Sequence, residues 1–260
     1  MVEPAIVEVS GLSKTFSGVK ALQDVDLAVN EGQIVGLIGP NGSGKSTALN
    51  CISGFIKPDR GMVKFKGHDI TGHSPASVAN QGMMRTFQIT RLARRMTLLE
   101  NMLLGAQTAH DESLSSALLR GRAFAGRQPV LLERARELLA TVKLSHHEND
   151  YAQVLSGGQQ RLLSIALVLI RDPDVILLDE PAAGVHPELV EQFVQMIGTI
   201  RKERGKSFLI IEHNMHFISN VCDEVVVLDA GMNLVTGSPG MIHNDPKVLE
   251  VYLGKQQQTS

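Results

Sequence analysis

Cysteine is scarce in this chain: 260 residues hold only Cys51 and Cys222, far apart in sequence. Two such residues, one of them inside an expected helix, argue against a disulfide framework and fit a reducing cytoplasm. An excess of charge of either sign is missing as well, since 25 Lys and Arg face 27 Asp and Glu for a formal net charge of −2. That balance leaves no global basic footprint and disfavours nucleic acid as the main partner. Long hydrophobic runs are lacking too. No apolar stretch approaches bilayer length, and Met1 to Ser10 have no basic region followed by an apolar core. If the protein works at a membrane, another chain spans it. No internal repeat is visible. The length allows one large α/β domain, or a core with a small inserted subdomain.

What is present is more specific. The apolar run Ile34-Val35-Gly36-Leu37-Ile38 leads directly into Gly39-Pro40-Asn41-Gly42-Ser43-Gly44-Lys45-Ser46-Thr47, a phosphate-binding loop behind a strand. Glycines let successive amides turn toward phosphate oxygens, Lys45 reaches the β- and γ-phosphates, and the Ser46 hydroxyl is placed to ligate Mg²⁺. Ser46 to Ser53 continue as a helix whose N-terminal dipole also favours the anion.

Around that loop the pattern changes character. Ala5 to Val9, Asp24 to Val29 and Met62 to Phe65 alternate in part, as in an antiparallel sheet with one wet face. Val175 to Leu178, Phe208 to Ile211 and Val225 to Leu228 are uninterrupted apolar runs, as in parallel strands buried on both faces. Residues 88–166 read as helical. Thr97-Leu98-Leu99-Glu100 is a capping box opening a helix through Leu104, and Val130 to Val142 carries helical spacing after Pro129, while 107–128 allows no assignment. The expected organisation is one domain over 1–260: a core of 1–87 and 167–254, a helical insert of 88–166 and a flexible tail of 255–260. A closing helix is expected over Asn244 to Gly254, with Asp245 as cap and Pro246 in its first turn.

The strand Val175 to Leu178 ends in Asp179-Glu180, two carboxylates at the edge where open α/β sheets bind ligands. This is a Walker B strand, in which Asp179 suits Mg²⁺ and Glu180 suits the attacking water. Upstream, Leu155-Ser156-Gly157-Gly158-Gln159-Gln160-Arg161 precedes the apolar helix Leu162 to Ile170, which Asp172-Pro173 ends. A hydroxyl and two glycines at a helix start form a second anion site in a chain with a single phosphate loop. His213 and His216 share a spacing that could hold a metal, and His146-His147 adjoin; the strand-to-loop context of the first and the exposed setting of the second argue against zinc.

With these motifs in this order, the chain resembles the ATP-binding-cassette (ABC) ATPases, and the likeness runs from Ile6 to Gly254. Arg85-Thr86-Phe87-Gln88, Thr97 to Asn101, Asp179 to Gly184 and Val251-Tyr252-Leu253-Gly254 are similar to the ATPase subunits of prokaryotic uptake systems for branched-chain amino acids and related amides. The resemblance implies a P-loop core of mainly parallel sheet with an N-terminal antiparallel subdomain and a helical insert. It implies that Gln88, by itself readable as a turn glutamine, contacts Mg²⁺ and the attacking water. It makes His213 the switch histidine on the γ-phosphate and Phe16, otherwise readable as core, the ring stacked on adenine. Ser156, Gly157, Gly158 and Gln159 would face ATP held by a second chain.

His186 departs from the pattern, standing where Asp or Asn is usual. The implied partners are a second ATPase chain, membrane permease subunits and, indirectly, an external binding protein, with the protein peripheral on the cytoplasmic face of the membrane. A soluble nucleic-acid or ribosome factor with the same cassette would be supported by a coiled-coil insertion, a second cassette or a basic extension, and none is seen. A cassette that hydrolyses little would be supported by loss of Glu180 or Lys45, and both are present.

Overall fold

The structure, a computed structural model, describes residues 5–86, 92–106 and 121–254. Strands β1 (Val7–Phe16) and β2 (Val19–Val29) pair antiparallel, with Val7 opposite Val29 and Val9 opposite Leu27. Both run well beyond the segments expected from alternation. Their outer ends are half-exposed and carry register shifts, so polar residues there still find ladder partners. Next come β3 (Ile34–Ile38), α1 (Lys45–Ile52), β4 (Arg60–Phe65), β5 (His68–Asp69), α2 (Pro75–Gln81) and β6 (Met83–Arg85). The first sheet has the order β2-β1-β4-β5. On one face of it Val7, Val9, Leu27, Val63 and Phe65 are buried in the core.

The chain divides into two compact units, residues 1–88 with 173–260, and residues 89–172. In the second unit α3 (Leu98–Gly105) opens on the expected capping box: Thr97 Oγ1 accepts from the Glu100 amide and Glu100 Oε2 from the Thr97 amide. Asn101, 3% exposed, wraps the turn before it. Its Oδ1 accepts from the Ala93 amide, and its Nδ2 donates to the carbonyls of Ala93, Met96 and Thr97.

Helix α4 (Gly121–Thr141) starts earlier than Val130 and runs through Pro129. Proline is expected in a first turn because it lacks an N–H, but one missing donor need not end a helix. Helix α5 (Gly157–Leu169) likewise begins before Leu162, at the glycines. The two glycines carry no apolar signal, so hydrophobic periodicity places the start too late. Helices α3, α4 and α5 pack on one another.

The first unit resumes with β7 (Val175–Asp179), α6 (Pro187–Arg204), β8 (Ser207–Ile211), α7 (Met215–Val221), β9 (Glu224–Asp229), β10 (Met232–Gly237), α8 (Pro239–His243) and α9 (Pro246–Gly254). The second sheet has the order β10-β9-β3-β8-β7-β6, parallel from β9 to β6 and antiparallel at β10. Every residue of β3 and β8 is buried. Burying each such Val, Leu, Ile or Phe is worth about 1.5–3 kcal/mol. Asn233 of β10 joins the two sheets: its Oδ1 accepts from the Asp26 amide at 2.9 Å and its Nδ2 donates to the Asp26 carbonyl at 2.7 Å. Asp245 caps α9 through the amides of Lys247 and Val248. Cys51 and Cys222 are buried free thiols, pushed by that burial to about 11 and about 12. Among the described residues no helix is long and apolar enough to cross a membrane.

His186 is the exposed N-cap residue of α6, and its side chain makes no capping hydrogen bond. Pro187 follows at the first helical position. An Asp at 186 supplies both an acceptor for a first-turn amide and a negative charge at the positive end of the helix. His186→Asp is expected to stabilise the fold by about 1 kcal/mol, read as a thermal midpoint about 2–4 °C higher. An unchanged or lower midpoint would contradict this account of α6.

Candidate functional site

Gly39 leaves the end of β3 with φ 146, and a Cβ there would lie 2.1 Å from the Leu228 carbonyl oxygen of β9. At Gly44, φ 102, a Cβ would lie 2.5 Å from the Ala21 carbonyl oxygen of β2. Backbone thus presses on backbone at both ends of the loop, which only glycine permits. Between them Ser43 donates its amide to the Pro40 carbonyl at 3.1 Å and accepts from the Gly231 amide at 3.1 Å. The Ser43 hydroxyl oxygen is buried with no hydrogen-bond partner.

Lys45 opens α1 at 6% exposure, and its Nζ donates to the carbonyls of Gly39 at 2.8 Å and Pro40 at 3.0 Å. Gly44 caps the helix without a side chain, and no acid stands in the first turn. The first-turn amides and dipole therefore remain available to an anion. Ser46 is exposed and Thr47 half-buried in that turn. Tyr252 of α9 also reaches this loop, through a hydrogen bond with the Gly39 backbone, while burial pushes its phenol above the usual range.

Across the sheet, β7 delivers Asp179 and Glu180. Asp179 Oδ2 accepts from Arg85 Nη2 of β6 at 2.7 Å, and Arg85 Nη1 donates to Asn50 Oδ1 of α1 at 2.6 Å and to Ser53 Oγ at 3.3 Å. Glu180 has φ 49, a left-handed backbone that costs a non-glycine residue about 1–2 kcal/mol. That turn brings Glu180 Oε1 to 2.7 Å from His213 Nε2. An ionised carboxylate only accepts, so the Nε2 of His213 carries the proton. Immediately before His213, Glu212 is 2% exposed and accepts from the amides of Ala182, His213 and Asn214.

In the helical unit, Ser156 is the N-cap of α5. Its Oγ accepts from the Gln159 amide at 3.3 Å and Gln159 Oε1 accepts from the Ser156 amide at 2.9 Å. Gln159 Nε2 lies 3.3 Å from His147 Nε2, whose Nδ1 is 2.7 Å from Asp150 Oδ2. Gly157 is exposed, and a Cβ on it would meet nothing within 4 Å. Phe16 is 42% exposed, outside the core, with Lys14 Nζ 5.6 Å from its ring centre. Gln88 lies outside the described residues. His216 contacts Glu191, and no group of three His, Cys, Asp or Glu among the described residues is arranged to hold a metal ion.

The ABC transporter family profile matches residues 22–183. The high-affinity branched-chain amino acid transport ATP-binding protein BraF of Pseudomonas aeruginosa is 37% identical over 250 residues, covering 96% of this chain and 98% of that protein. The chain belongs to the ABC transporter family.

An ATP-binding cassette of an ABC transporter solved in its ADP conformation superposes with TM-score 0.83 at 35% identity, covering 96% of this chain and 99% of that one. Another cassette, solved as a dimer in a post-hydrolysis state with ADP and Pi, has TM-score 0.71 at 25% identity and covers 90% and 98%. This chain is an ABC ATPase whose α/β core carries the antiparallel sheet, the mainly parallel sheet and the helices of that class.

Three side chains at the edge of this ABC cassette escaped motif reasoning. Arg85 and Tyr252 were visible only as letters in family-like strings, and Glu212 is a charge at the end of an apolar run. Nothing local in the sequence says that a carboxylate there meets three amides from two loops. Arg85 and Asp179 are largely buried, with side-chain exposures of 13% and 8%. Arg85→Ala removes the charge facing Asp179 and leaves Asn50 without that donor. The expected loss is about 2–3 kcal/mol of stability. Chemical denaturation of the two proteins measures it, and equal midpoints would show that Asp179 does not depend on Arg85 to offset its burial.

Proposed function

We propose that this cassette is the ATP-hydrolysing subunit of an importer for branched-chain or related hydrophobic amino acids and amides, peripheral on the cytoplasmic face of the membrane. The observation that carries the reading is one edge of a parallel sheet bearing a glycine-cramped loop with Lys45, the pair Asp179-Glu180, and His213 in contact with Glu180. The likeness to an amino-acid transport ATP-binding protein along 96% of the chain supports the substrate class. Residues 88–166 form the helical subdomain of a single domain in this reading; the expected tail, 255–260, lies outside the described residues.

Each residue has a task in ATP hydrolysis. The amides of 39–44 and the first turn of α1 wrap the phosphates, and Lys45 offsets their charge. Ser46 and Asp179, with Gln88 by resemblance, carry hard oxygen donors of the kind that suits Mg²⁺. An ion held there would neutralise charge developing on the phosphate oxygens. Glu180 orients and polarises the attacking water, and the protonated Nε2 of His213 turns to the γ-phosphate. Phe16, exposed at the end of β1, is the ring for adenine in this reading.

The exposed glycine of the Ser156 to Gln159 motif supports a role toward a second chain. Gly157 meets no steric limit inside its own chain, so bare backbone there serves something outside it. ATP bridging two cassettes closes them, hydrolysis releases them, and membrane permease subunits supplied by an external binding protein convert that cycle into uptake.

Glu180→Gln keeps the size of the side chain but loses the carboxylate. Turnover is expected to fall about 100-fold or more while ATP affinity is retained. Wild-type turnover in this variant would remove Glu180 from the chemistry.

The shared site is tested by mixing a Lys45→Ala chain with a Ser156→Arg chain. Either alone has every composite site damaged, whereas a mixed dimer has one intact and one doubly damaged. Where the chain pairs with itself, partial hydrolysis should return on mixing; where its native partner is a different cassette, Ser156→Arg is tested in that pair, where it should lower hydrolysis. Full activity of Ser156→Arg alone would rule the shared site out.

A further inference from the structure

Glu212 is the one carboxylate among the described residues that is almost wholly buried. A buried carboxylate requires donors, because burial strips its water without removing its charge. Oε1 accepts from the Ala182 amide at 2.6 Å, while Oε2 accepts from the amides of His213 at 2.9 Å and Asn214 at 3.2 Å. These donors come from two loops. Ala182 follows Glu180 by two residues after β7, and His213 and Asn214 follow β8. The capping of α7 does not depend on Glu212, since Asn214 Oδ1 accepts from the Phe217 amide at 3.0 Å. Backbone pairing ties the two strands only as far as the Glu180 amide, which donates to the Ile211 carbonyl, and the register of β7 with β8 ends at Asp179 opposite Ile211; the Ala182 amide beyond it is held by Glu212.

Resting on the ATPase reading above, we propose that Glu212 is a positioning residue that locks the loop of Glu180 to the loop of His213, so that displacement of Ala182 is passed to the histidine. One carboxylate with an oxygen for each loop makes a rigid, charge-assisted link. The segment from Ala182 to His186 lies between the catalytic carboxylate and α6. A contact made there by a second cassette would thereby reset the distance between Glu180 and His213. Glu212 touches no substrate in this scheme and acts only through its neighbours.

The tests use the full-length chain. Glu212→Gln keeps the shape but offers one carbonyl oxygen, so one loop faces an NH₂ group in place of an acceptor. A second variant leaves Glu212 untouched: an ester in place of the Ala182 amide, made with the α-hydroxy analogue of alanine, removes the N–H and changes no side chain. Both are expected to lower kcat about 10–100-fold, as misplacement of catalytic groups does, with equilibrium ATP binding within about twofold of wild type.

His213→Ala and the double variant Glu212→Gln/His213→Ala should have equal kcat, because Glu212 acts through the histidine. Full turnover in the ester variant overturns the proposal. So does a further, multiplicative loss in the double variant, which marks Glu212 as merely structural. The reading of the site fails separately, and the proposal with it, if Glu180→Gln hydrolyses ATP at the wild-type rate.

Discussion

Ile211 stands beside Leu37 on one side and Asp179 on the other, in a parallel register shared by β3, β8 and β7. Parallel strands all end at the same edge, so the glycine-rich loop of 39–47, the two carboxylates and the Glu212-His213 pair are delivered to one side of the sheet. The register is not free to slip. β3 and β8 are buried throughout and β7 nearly so, and a shift by one residue would exchange every side chain between the two faces. The fourth parallel strand contributes through its backbone: the Leu228 carbonyl closes on Gly39, which leaves no room for a side chain there.

That edge concentrates charge which the rest of the core avoids. Lys45, Glu212, Arg85 and Asp179 are all largely or wholly buried, and Glu180 holds a left-handed backbone. Each charge is met by a specific partner: loop carbonyls for Lys45, three amides for Glu212, and the Arg85-Asp179 pair backed by Asn50. Such arrangements contribute little net stability, because desolvation offsets most of the attraction. Their physical effect is placement, since a charge that leaves its partner loses what compensates its burial. The apolar strands stabilise the fold, and the buried charges specify where the polar groups of this edge stand.

The helical unit makes the same point with two capping boxes of identical bonding. The box of Thr97 and Glu100 opens a helix whose next residue, Leu98, is fully buried, and Asn101 packs the turn behind it. The box of Ser156 and Gln159 opens a helix whose next residue is exposed Gly157. Capping satisfies the helix end in both cases, but only the second leaves the first-turn backbone bare. The same local chemistry anchors a core in one place and presents backbone in the other, and the residue after the cap decides which.

The sequence alone determined the strand–loop–helix order around the glycine-rich loop of 39–47, the Asp179-Glu180 strand end, the capping box of Thr97 and Glu100 and the buried character of β3, β7, β8 and β9. Each of these is written in contiguous residues by spacing, glycine placement or apolar run length. It placed the starts of α4 and α5 too late, because Pro129 and the glycines at 157 and 158 mask helical continuity from a reading based on periodicity. Only the tertiary structure decided that Arg85 holds Asp179, that Tyr252 reaches the Gly39 backbone and that Glu212 joins Ala182 to His213 and Asn214. The Glu212–Ala182, Arg85–Asp179 and Tyr252–Gly39 contacts span from 30 to more than 200 residues of sequence, and a buried charge carries no local sign of which distant donor will offset its desolvation.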